Sequence, residues 1–282
     1  MPTTARQSET TRVVALAFHE VIGNGHPTAQ AEAAPSHADT EHAAGSRIDA
    51  RELEAVLSGL RQLGYQTVSS RAFRAWQDGT KALPERSVVL TFDYGHASHF
   101  DIATSLLLRY RFSGTFFVTV GRIGRPGYMS WEQLRKLVFL GMEIGSCGMS
   151  QEPLTGLTPE ALTQQLVESK RILEEQLGIP MRALVATGGH WNPAVAEAAR
   201  RAGYDAVWVS TVGTNGRQTH PQALRRIVVR WPLSAERIVT LVEGWQPSFW
   251  WVANQQAAIR MLKRVLGVYW YEQLKRRVVP DA

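Results

Sequence analysis

Short apolar runs alternate with segments of helical periodicity along most of the chain. The apolar runs are rich in β-branched residues and bounded by polar or turn-forming residues, a pattern typical of buried strands. Between them, apolar residues recur three or four positions apart, which indicates amphipathic helices. The predicted strands are RVVALAFHEVI (12–22), SVVLTFDYG (87–95), GTFFVTV (114–120), MEIGS (142–146), RALVAT (182–187), YDAVWVS (204–210) and LRRIVV (224–229). The predicted helices are 53–64, 98–110, 130–141, 158–178, 192–203 and 234–244.

Several predicted helices carry their own boundary signals. Ser130 with Gln133 three positions later forms the capping-box pattern at a helix N-terminus. Asn192 stands where a capping side chain is expected, directly before a proline. Gly64 and Gly178 follow the last periodic residues of two helices, which is typical of a glycine C-terminal cap.

The regular alternation of strand and helix predicts an α/β fold with a parallel sheet covered by helices, either open or closed into a barrel. Functional groups in such folds collect in loops at the carboxyl ends of the strands. The segments to search for a site are therefore His19-Glu20, Asp93 to His96, Ser146 to Gln151, Gly188 to Asn192 and Thr211 to Asn215.

Composition narrows the class of protein. Of 282 residues, 44% are hydrophobic and 20% charged, which is ordinary for a globular protein with one continuous core. Cys147 is the single cysteine, so the chain forms no internal disulfide. No run of about 18 uncharged apolar residues is present, as a membrane-spanning helix would need, and the N-terminus lacks a signal-peptide pattern. We expect a cytoplasmic protein.

The charge is basic, with a net charge of +6 and a sequence pI of about 9.7. Basic balance favours anionic partners such as acidic glycans or a membrane surface. No nucleic-acid-binding motif accompanies it, so we predict no nucleic-acid partner.

Several of these segments together resemble the polysaccharide deacetylases, the chitooligosaccharide deacetylase or NodB homology group of carbohydrate esterase family 4. The resemblance is carried by ALAFHEV, GYQTVSS, LPERSVVLTFDYG, GTFFVTVGRIG, MSWEQLRKLVFLGMEIGS, VESKRILEEQLGIP and AGYDAVWVS, and extends over roughly residues 12–230. It implies a distorted (β/α) barrel and hydrolysis of acetyl groups on glycans with a divalent metal. We therefore expect a flexible N-terminus over 1–11, a deacetylase-like domain over 12–243 with a mobile loop at 23–46, and a C-terminal helical tail over 244–282.

The family's first motif, Thr-Phe-Asp-Asp-Gly, is altered in this chain. The resemblance assigns the first Asp as the catalytic base and the second as a metal ligand, and this chain has Asp93 followed by Tyr94. Neutral tyrosine is a poor ligand for zinc or for hard divalent ions. Asp93 is thus the best catalytic candidate, although an Asp in a turn also commonly bonds local backbone groups.

The other two motifs have changed as well. Cys147 and Gln151 stand where the family places its two metal-binding histidines. The third motif normally contains proline, and in one form arginine, but residues 185–192 read VATGGHWN. The family cofactor is a divalent metal, and because its ligands are not retained we predict a centre without metal.

Two interpretations of the remaining residues stay open. His96 and His99 share a helix face near Asp93 and could join Cys147 in a rebuilt metal site, or simply line a loop that contacts solvent or substrate. Cys147 could be a catalytic nucleophile activated by His19, His96 or His190, or a buried small apolar residue.

The predicted substrate contacts are His19, Tyr94, His96, His190 and Trp191, which could stack on a sugar and bind its hydroxyl groups. The expected partner is therefore a glycan or a small acylated substrate. Asn192, beside them, is better explained as a helix cap.

The tail, residues 244–282, combines aromatic and basic residues. This composition suits a helix lying in a membrane interface, and equally a helix that packs its aromatic side chains on the barrel. The first interpretation gives a cytoplasmic protein held peripherally on the inner membrane. The residues concerned are Trp245, Trp250, Trp251, Trp270, Tyr271, Arg260, Lys263, Arg264, Lys275, Arg276 and Arg277.

Three functions are compatible with these residues. The first is an enzyme acting on an acylated sugar or related amide, with a non-standard, metal-free centre around Asp93. The second is a non-catalytic glycan-binding or assembly protein that keeps the groove. The third is a hydrolase or transferase that depends on Cys147.

Overall fold

The computed structural model describes residues 11–23, 47–229 and 233–244. The strands are β1 (Val14–Phe18), β2 (Glu20–Ile22), β3 (Arg47–Asp49), β4 (Gln66–Thr67), β5 (Ser87–Phe92), β6 (Thr115–Val118), β7 (Glu143–Ser146), β8 (Ala183–Val185), β9 (Ala206–Val209), β10 (Leu224–Arg225) and β11 (Ile227–Val228). The α-helices are α1 (Ala50–Gln62), α2 (Ser70–Gln77), α3 (Thr104–Arg109), α4 (Trp131–Phe139), α5 (Pro159–Leu177), α6 (Pro193–Arg201) and α7 (Ala235–Val242), and a π-helical turn, His99–Ala103, leads into α3.

The main sheet is parallel throughout and almost closes on itself. Its strand order is β10-β9-β8-β7-β6-β5-β1-β11, with β4 paired to the start of β5. Its two end strands, β10 and β11, are consecutive in the chain and separated by Arg226 alone. The sheet is therefore a nearly closed barrel of eight parallel strands with helices around it, which confirms the predicted distorted (β/α) barrel.

Alternate residues of each strand face opposite sides of the barrel wall. On β5, Val88, Leu90 and Phe92 pack in the core layer that also contains helix residues such as Leu53 and Leu166. Val89 belongs instead to the second core cluster, which fills the space enclosed by the strands. By this alternation Thr91 and Asp93 face the barrel interior.

Three helix boundaries predicted from capping residues are confirmed, whereas the predicted helix 53–64 begins earlier, at Ala50. The Ser130 side chain and the Gln133 side chain form a reciprocal capping box at the start of α4. Asn192 caps α6 by accepting from the Val195 amide, and Gly178 ends α5 with φ 67°. These contacts are local in sequence, which is why a short pattern identifies them.

Two predicted strands are each divided in the structure. Residues 12–22 form β1 and β2, separated by His19, and residues 224–229 form β10 and β11, separated by Arg226. The second division matters more, because β10 pairs with β9 and β11 pairs with β1. A six-residue run was thus predicted as one strand, whereas it supplies both edges of the sheet.

The sequence prediction also missed α2, together with the short strands β3 and β4. Phe73 and Trp76 of α2 are buried in the interior cluster, and the ring of Phe73 lies 5.8 Å from that of Trp208 on β9. Helix α2 therefore packs its aromatic residues against the barrel interior. It spans only two turns, so its periodicity was too brief to stand out.

Three predicted segments lie largely or wholly outside the described residues: the flexible N-terminus (1–11), the mobile loop (23–46) and the helical tail (244–282). Among the residues that are described, no helix has the length and apolar character needed to cross a membrane.

Candidate functional site

A buried carboxylate lies directly after β5. The amide of Asp93 donates to the Phe18 carbonyl of β1 at 2.9 Å, so the strand pairing itself fixes this residue. Arg226, between β10 and β11, donates from Nη1 to Asp93 Oδ1 at 2.7 Å and to Thr91 Oγ1 at 3.0 Å. Asp93 is 2% exposed and Arg226 is 1% exposed. The interior of the barrel thus contains a closed, hydrogen-bonded ion pair.

This pairing sets the charge of Asp93. Burial alone would raise the pKa of the carboxyl, but the Arg226 guanidinium and the nearby His19 ring lower it more, leaving it well below its ordinary value. His19 Nε2 lies 3.7 Å from Asp93 Oδ2, which is too long for a direct hydrogen bond. Asp93 is therefore ionised and already neutralised by a cation.

Tyr94 follows with a backbone φ of 75°, an uncommon conformation for a bulky residue. Its side chain is buried, and its hydroxyl hydrogen-bonds the backbone of Gly188 beyond β8. Burial raises the pKa of the phenol, and the charge of Asp93 raises it further. The Tyr94 hydroxyl is consequently neutral, and its hydrogen bond is made to Gly188.

Two of the predicted substrate contacts lie against Tyr94. The His19 ring is 5.2 Å from the Tyr94 ring, and the His96 ring is 6.3 Å from it. His96 also stacks on Tyr128 with 5.2 Å between ring centroids. The structure therefore groups the His19 and His96 rings around Tyr94, next to Asp93 in the chain. Their role as substrate contacts stays a prediction.

His99 does not line a solvent-exposed loop, and that interpretation was wrong. It is fully buried, and its Nε2 hydrogen-bonds the carbonyl of His19. Burial, and then the neighbouring His96, lower the pKa of His99 to about 3. His99 is a neutral residue that ties the π-helical turn to the end of β1.

Cys147 lies at the carboxyl end of β7, inside the barrel, and is fully buried. Burial raises the pKa of its thiol, and the charge of Asp93 adds to this effect. A nucleophilic cysteine needs a thiolate and access, and neither condition is met here. The geometry favours the interpretation of Cys147 as a packed apolar residue.

The loop that follows Cys147 is held by α5. Gln165 accepts from the amides of Met149 and Ser150, at 2.8 and 3.1 Å, and donates to the Ser150 hydroxyl at 2.8 Å. Gln151 comes next and is half-buried. A glutamine from the neighbouring helix thus fixes the backbone of the segment that corresponds to the family's second motif.

The other two predicted substrate contacts lie apart from this group. His190 and Trp191 are exposed, with Trp191 38% exposed, in the segment between β8 and α6. Trp191 lines a cleft together with Arg12 and Arg225, neither of which is part of the Asp93 cluster. The predicted contacts therefore separate into a group that is buried or half-buried and an exposed pair.

Arg226 is the residue that sequence reasoning missed. An arginine inside the apolar run LRRIVV was counted only as part of the basic charge. A charged residue that faces the core within an apolar strand segment requires a buried partner, and this was the available signal. The sequence alone did not indicate that the partner is Asp93.

No three side chains of histidine, cysteine, aspartate or glutamate within the described ranges are grouped so that they could hold a metal ion. The rebuilt site of His96, His99, Asp93 and Cys147 is accordingly not supported.

Comparison with known proteins gives a consistent result. Residues 80–207 match the family model described as polysaccharide deacetylase. The polysaccharide deacetylase homologue YxkH of Bacillus subtilis is 25% identical over 198 residues, which cover 70% of this chain and 71% of YxkH. A peptidoglycan-N-acetylglucosamine deacetylase of Bacillus cereus is 28% identical over 124 residues, 44% of this chain and 56% of that protein.

A solved structure shares the fold. The deacetylase PplD of Streptococcus pyogenes, in complex with acetate, superposes with a TM-score of 0.70 at 19% identity, covering 81% of this chain and 97% of PplD.

Proposed function

Since this chain is a polysaccharide deacetylase-like protein with the barrel of that family, we propose that it binds an acylated glycan and does not hydrolyse it by the family's metal-dependent route. The observation that supports this proposal most directly is the buried ion pair between Asp93 and Arg226. A general base must reach the proton that it removes and must have a pKa suited to accept it. Asp93 is enclosed by protein, and Arg226 neutralises its charge. Its lowered pKa also makes it a weak base.

The donor atoms at the family's three ligand positions do not fit a divalent metal. Metal ligands bind in their deprotonated form. The Tyr94 phenol and the Cys147 thiol are both buried, with pKa values raised above their ordinary range, and Gln151 offers only a neutral amide. A guanidinium also already occupies one side of the Asp93 carboxylate. We therefore derive no metal-dependent step for this centre.

Two observations support a glycan ligand: the similarity to deacetylases that act on glycans, and the exposed ring of Trp191. The Bacillus cereus relative is a peptidoglycan-N-acetylglucosamine deacetylase by name. Trp191 is the one exposed tryptophan among the residues that the structure describes. An exposed aromatic ring beside polar groups is suited to a ligand with both apolar and hydroxyl-bearing faces.

The test separates binding from turnover. Calorimetric titration with N-acetylated chitooligosaccharides should show binding that Trp191→Ala weakens and Trp191→Phe largely keeps. Acetate release should stay at background with added zinc, cobalt or nickel, and elemental analysis should find no stoichiometric metal. Acetate release that disappears in Asp93→Asn would overturn the non-catalytic proposal and establish an Asp93-dependent enzyme instead. Acetate release that persists in Asp93→Asn but is lost in Cys147→Ala would establish a cysteine-dependent enzyme.

A further inference from the structure

A second site is suggested by a cleft on the outer side of the barrel. Its volume is about 760 Å³, within the range of small-molecule sites. The residues that line it come from the segment after β8, from the end of β9, from the β9–β10 connection, from β10, and from Arg12 just before β1. Residues 210–223 contain a 3₁₀ turn at Pro221–Ala223 and no α-helix of their own.

Arg225, the last residue of β10, and Arg226, which follows it, reach opposite faces of the barrel wall. Leu224 pairs with Trp208 of β9, and both lie in the interior cluster. Arg225 pairs with Val209, and both line the cleft. Strand alternation then sends Arg226 inward to Asp93 and Arg225 outward. The cleft is therefore separated from the Asp93 centre by the wall itself.

The cleft has a positive charge that nothing in the described chain neutralises. Its lining contains Arg12 and Arg225 and no aspartate or glutamate. Both arginines are exposed, and neither forms an ion pair or a side-chain hydrogen bond within the described residues. The guanidinium donors are thus available, in a geometry that matches carboxylate and phosphate groups.

Two glycines make room for these side chains. A Cβ atom on Gly216 would lie 2.3 Å from Arg12 Nη1, and one on Gly213 would lie 2.8 Å from Arg225 Cδ. Asn215, between the two glycines, bonds both backbone groups of Arg225 at 2.8 Å. The segment from Gly213 to Gly216 therefore lies close against both arginines, and Asn215 holds the backbone of Arg225.

Neutral groups complete the lining. Trp191 presents an exposed aromatic ring at one side of the cleft. His220 Nδ1 accepts from the Gln222 amide at 3.2 Å, which leaves Nε2 as the ring nitrogen available to a ligand. Thr211 and Gln218 add further hydrogen-bonding groups. An aromatic ring, hydroxyl-compatible groups and two cations therefore lie in one cleft.

We propose that this cleft binds an acidic saccharide, a sugar unit bearing a carboxylate or a phosphate, with Arg12 and Arg225 on the anionic group and Trp191 against the ring. The inference rests on the proposed glycan-binding function and names the chemical class of glycan. Such a ligand contacts the aromatic ring and the arginines together within one small cleft, which a membrane surface or a nucleic acid does not.

The experiment uses the full chain and paired probes. Trigalacturonate is titrated against its carboxyl-reduced trisaccharide, and glucose 6-phosphate against glucose, so that the two arms distinguish a carboxylate from a phosphate. Arg225→Gln and Arg12→Gln are the test variants. Arg51→Gln, at an exposed position in α1, is the matched control for loss of one positive charge. Melting temperatures verify that each variant is folded.

We expect an acidic probe to bind at least tenfold more tightly than its neutral partner. Each test variant should weaken its binding about tenfold, which corresponds to about 1.4 kcal/mol and to the lower range for hydrogen bonds to charged groups. Raised salt should weaken binding too, and Arg51→Gln should leave it unchanged. Equal affinity for acidic and neutral probes, or binding indifferent to both arginines, would overturn the acidic-saccharide inference and leave glycan binding standing. If none of these probes binds, the acidic-saccharide inference fails; if N-acetylated chitooligosaccharides also fail to bind, the proposed glycan-binding function fails with it.

Discussion

At the residue scale, the ion pair of Asp93 and Arg226 governs the centre of the barrel. Both groups are almost fully buried, so each loses its water shell and depends on the other for compensation. A pair of this kind can be nearly neutral for stability as a whole, whereas a single unpaired member is costly. Removal of one partner is therefore more informative than removal of both.

We predict that Arg226→Met lowers the free energy of unfolding by about 3–5 kcal/mol, because it leaves the Asp93 carboxylate buried without a partner. Urea denaturation measures this loss. The double variant Asp93→Asn with Arg226→Met should recover a large part of it. Arg182→Met, which breaks an exposed pair with Asp205, is the control and should cost about 0–1 kcal/mol. Equal losses for Arg226→Met and Arg182→Met would contradict this account.

His99 makes stability depend on pH. Its folded pKa of about 3 lies below the ordinary value of 6.5, so between these values the unfolded chain binds a proton that the folded chain does not. Stability is therefore complete above about pH 6.5 and falls as the pH is lowered towards 3. The lowered pKa of Asp93 acts in the same direction at still lower pH.

We predict that His99→Gln reduces the slope of unfolding free energy against pH between 6.5 and 4 by up to one proton, about 1.4 kcal/mol per pH unit. Denaturation at a series of pH values measures the slope. His190→Gln makes the same chemical change at an exposed position and should leave the slope nearly as it is. An unchanged slope in His99→Gln would show that this histidine is not buried in its neutral form.

At the scale of elements, the interior depends on β7 having a glycine opposite a phenylalanine. Gly145 is the register partner of Phe117 on β6. A Cβ atom on Gly145 would lie 2.5 Å from two ring carbons of Phe117, a distance that requires the ring to move. Phe117 is fully buried beneath Arg226, whose Cζ is 5.8 Å from the ring centroid. Adjacent strands and the ion pair are thus coupled through this ring.

Gly145→Ala should lower stability by about 1–3 kcal/mol, the range for overpacking in a well-packed core. Gly156→Ala is the control, because a Cβ there would meet nothing within 4 Å. It should be neutral or slightly stabilising. Chemical denaturation of the two variants compares them directly, and a Gly145→Ala protein as stable as the control would mean that the interior has spare room.

At the scale of the whole molecule, the basic aromatic tail remains a prediction from sequence. We expect that deletion of residues 244–282 abolishes sedimentation with vesicles containing anionic lipid and leaves the barrel folded, as judged by an unchanged cooperative melt. The reason is that aromatic and basic side chains together suit a membrane interface. Unfolding or aggregation of the shortened chain would instead show that the aromatic residues belong to the core.

The family resemblance predicted the barrel. The pattern of the sequence itself determined the alternating elements, the helix caps and the parallel α/β class. Each depends on periodicity or on contacts within a few residues, as with Ser130 and Gln133 or Asn192 and Val195. The resemblance to a family added Asp93 and the altered positions around it. A short two-turn helix and the division of residues 224–229 between two edges of the sheet escaped the sequence, because neither has a local signature.

Only the tertiary structure decided what the candidate residues do. Arg226 reaches Asp93 across 133 positions of the chain, and Arg225, the next residue, reaches Gly213 on the other face of the wall. Burial keeps Cys147 a thiol and His99 neutral, which their identities did not reveal. The charge and accessibility of a side chain depend on neighbours that the closure of the barrel brings together, and a linear pattern contains no record of those distances.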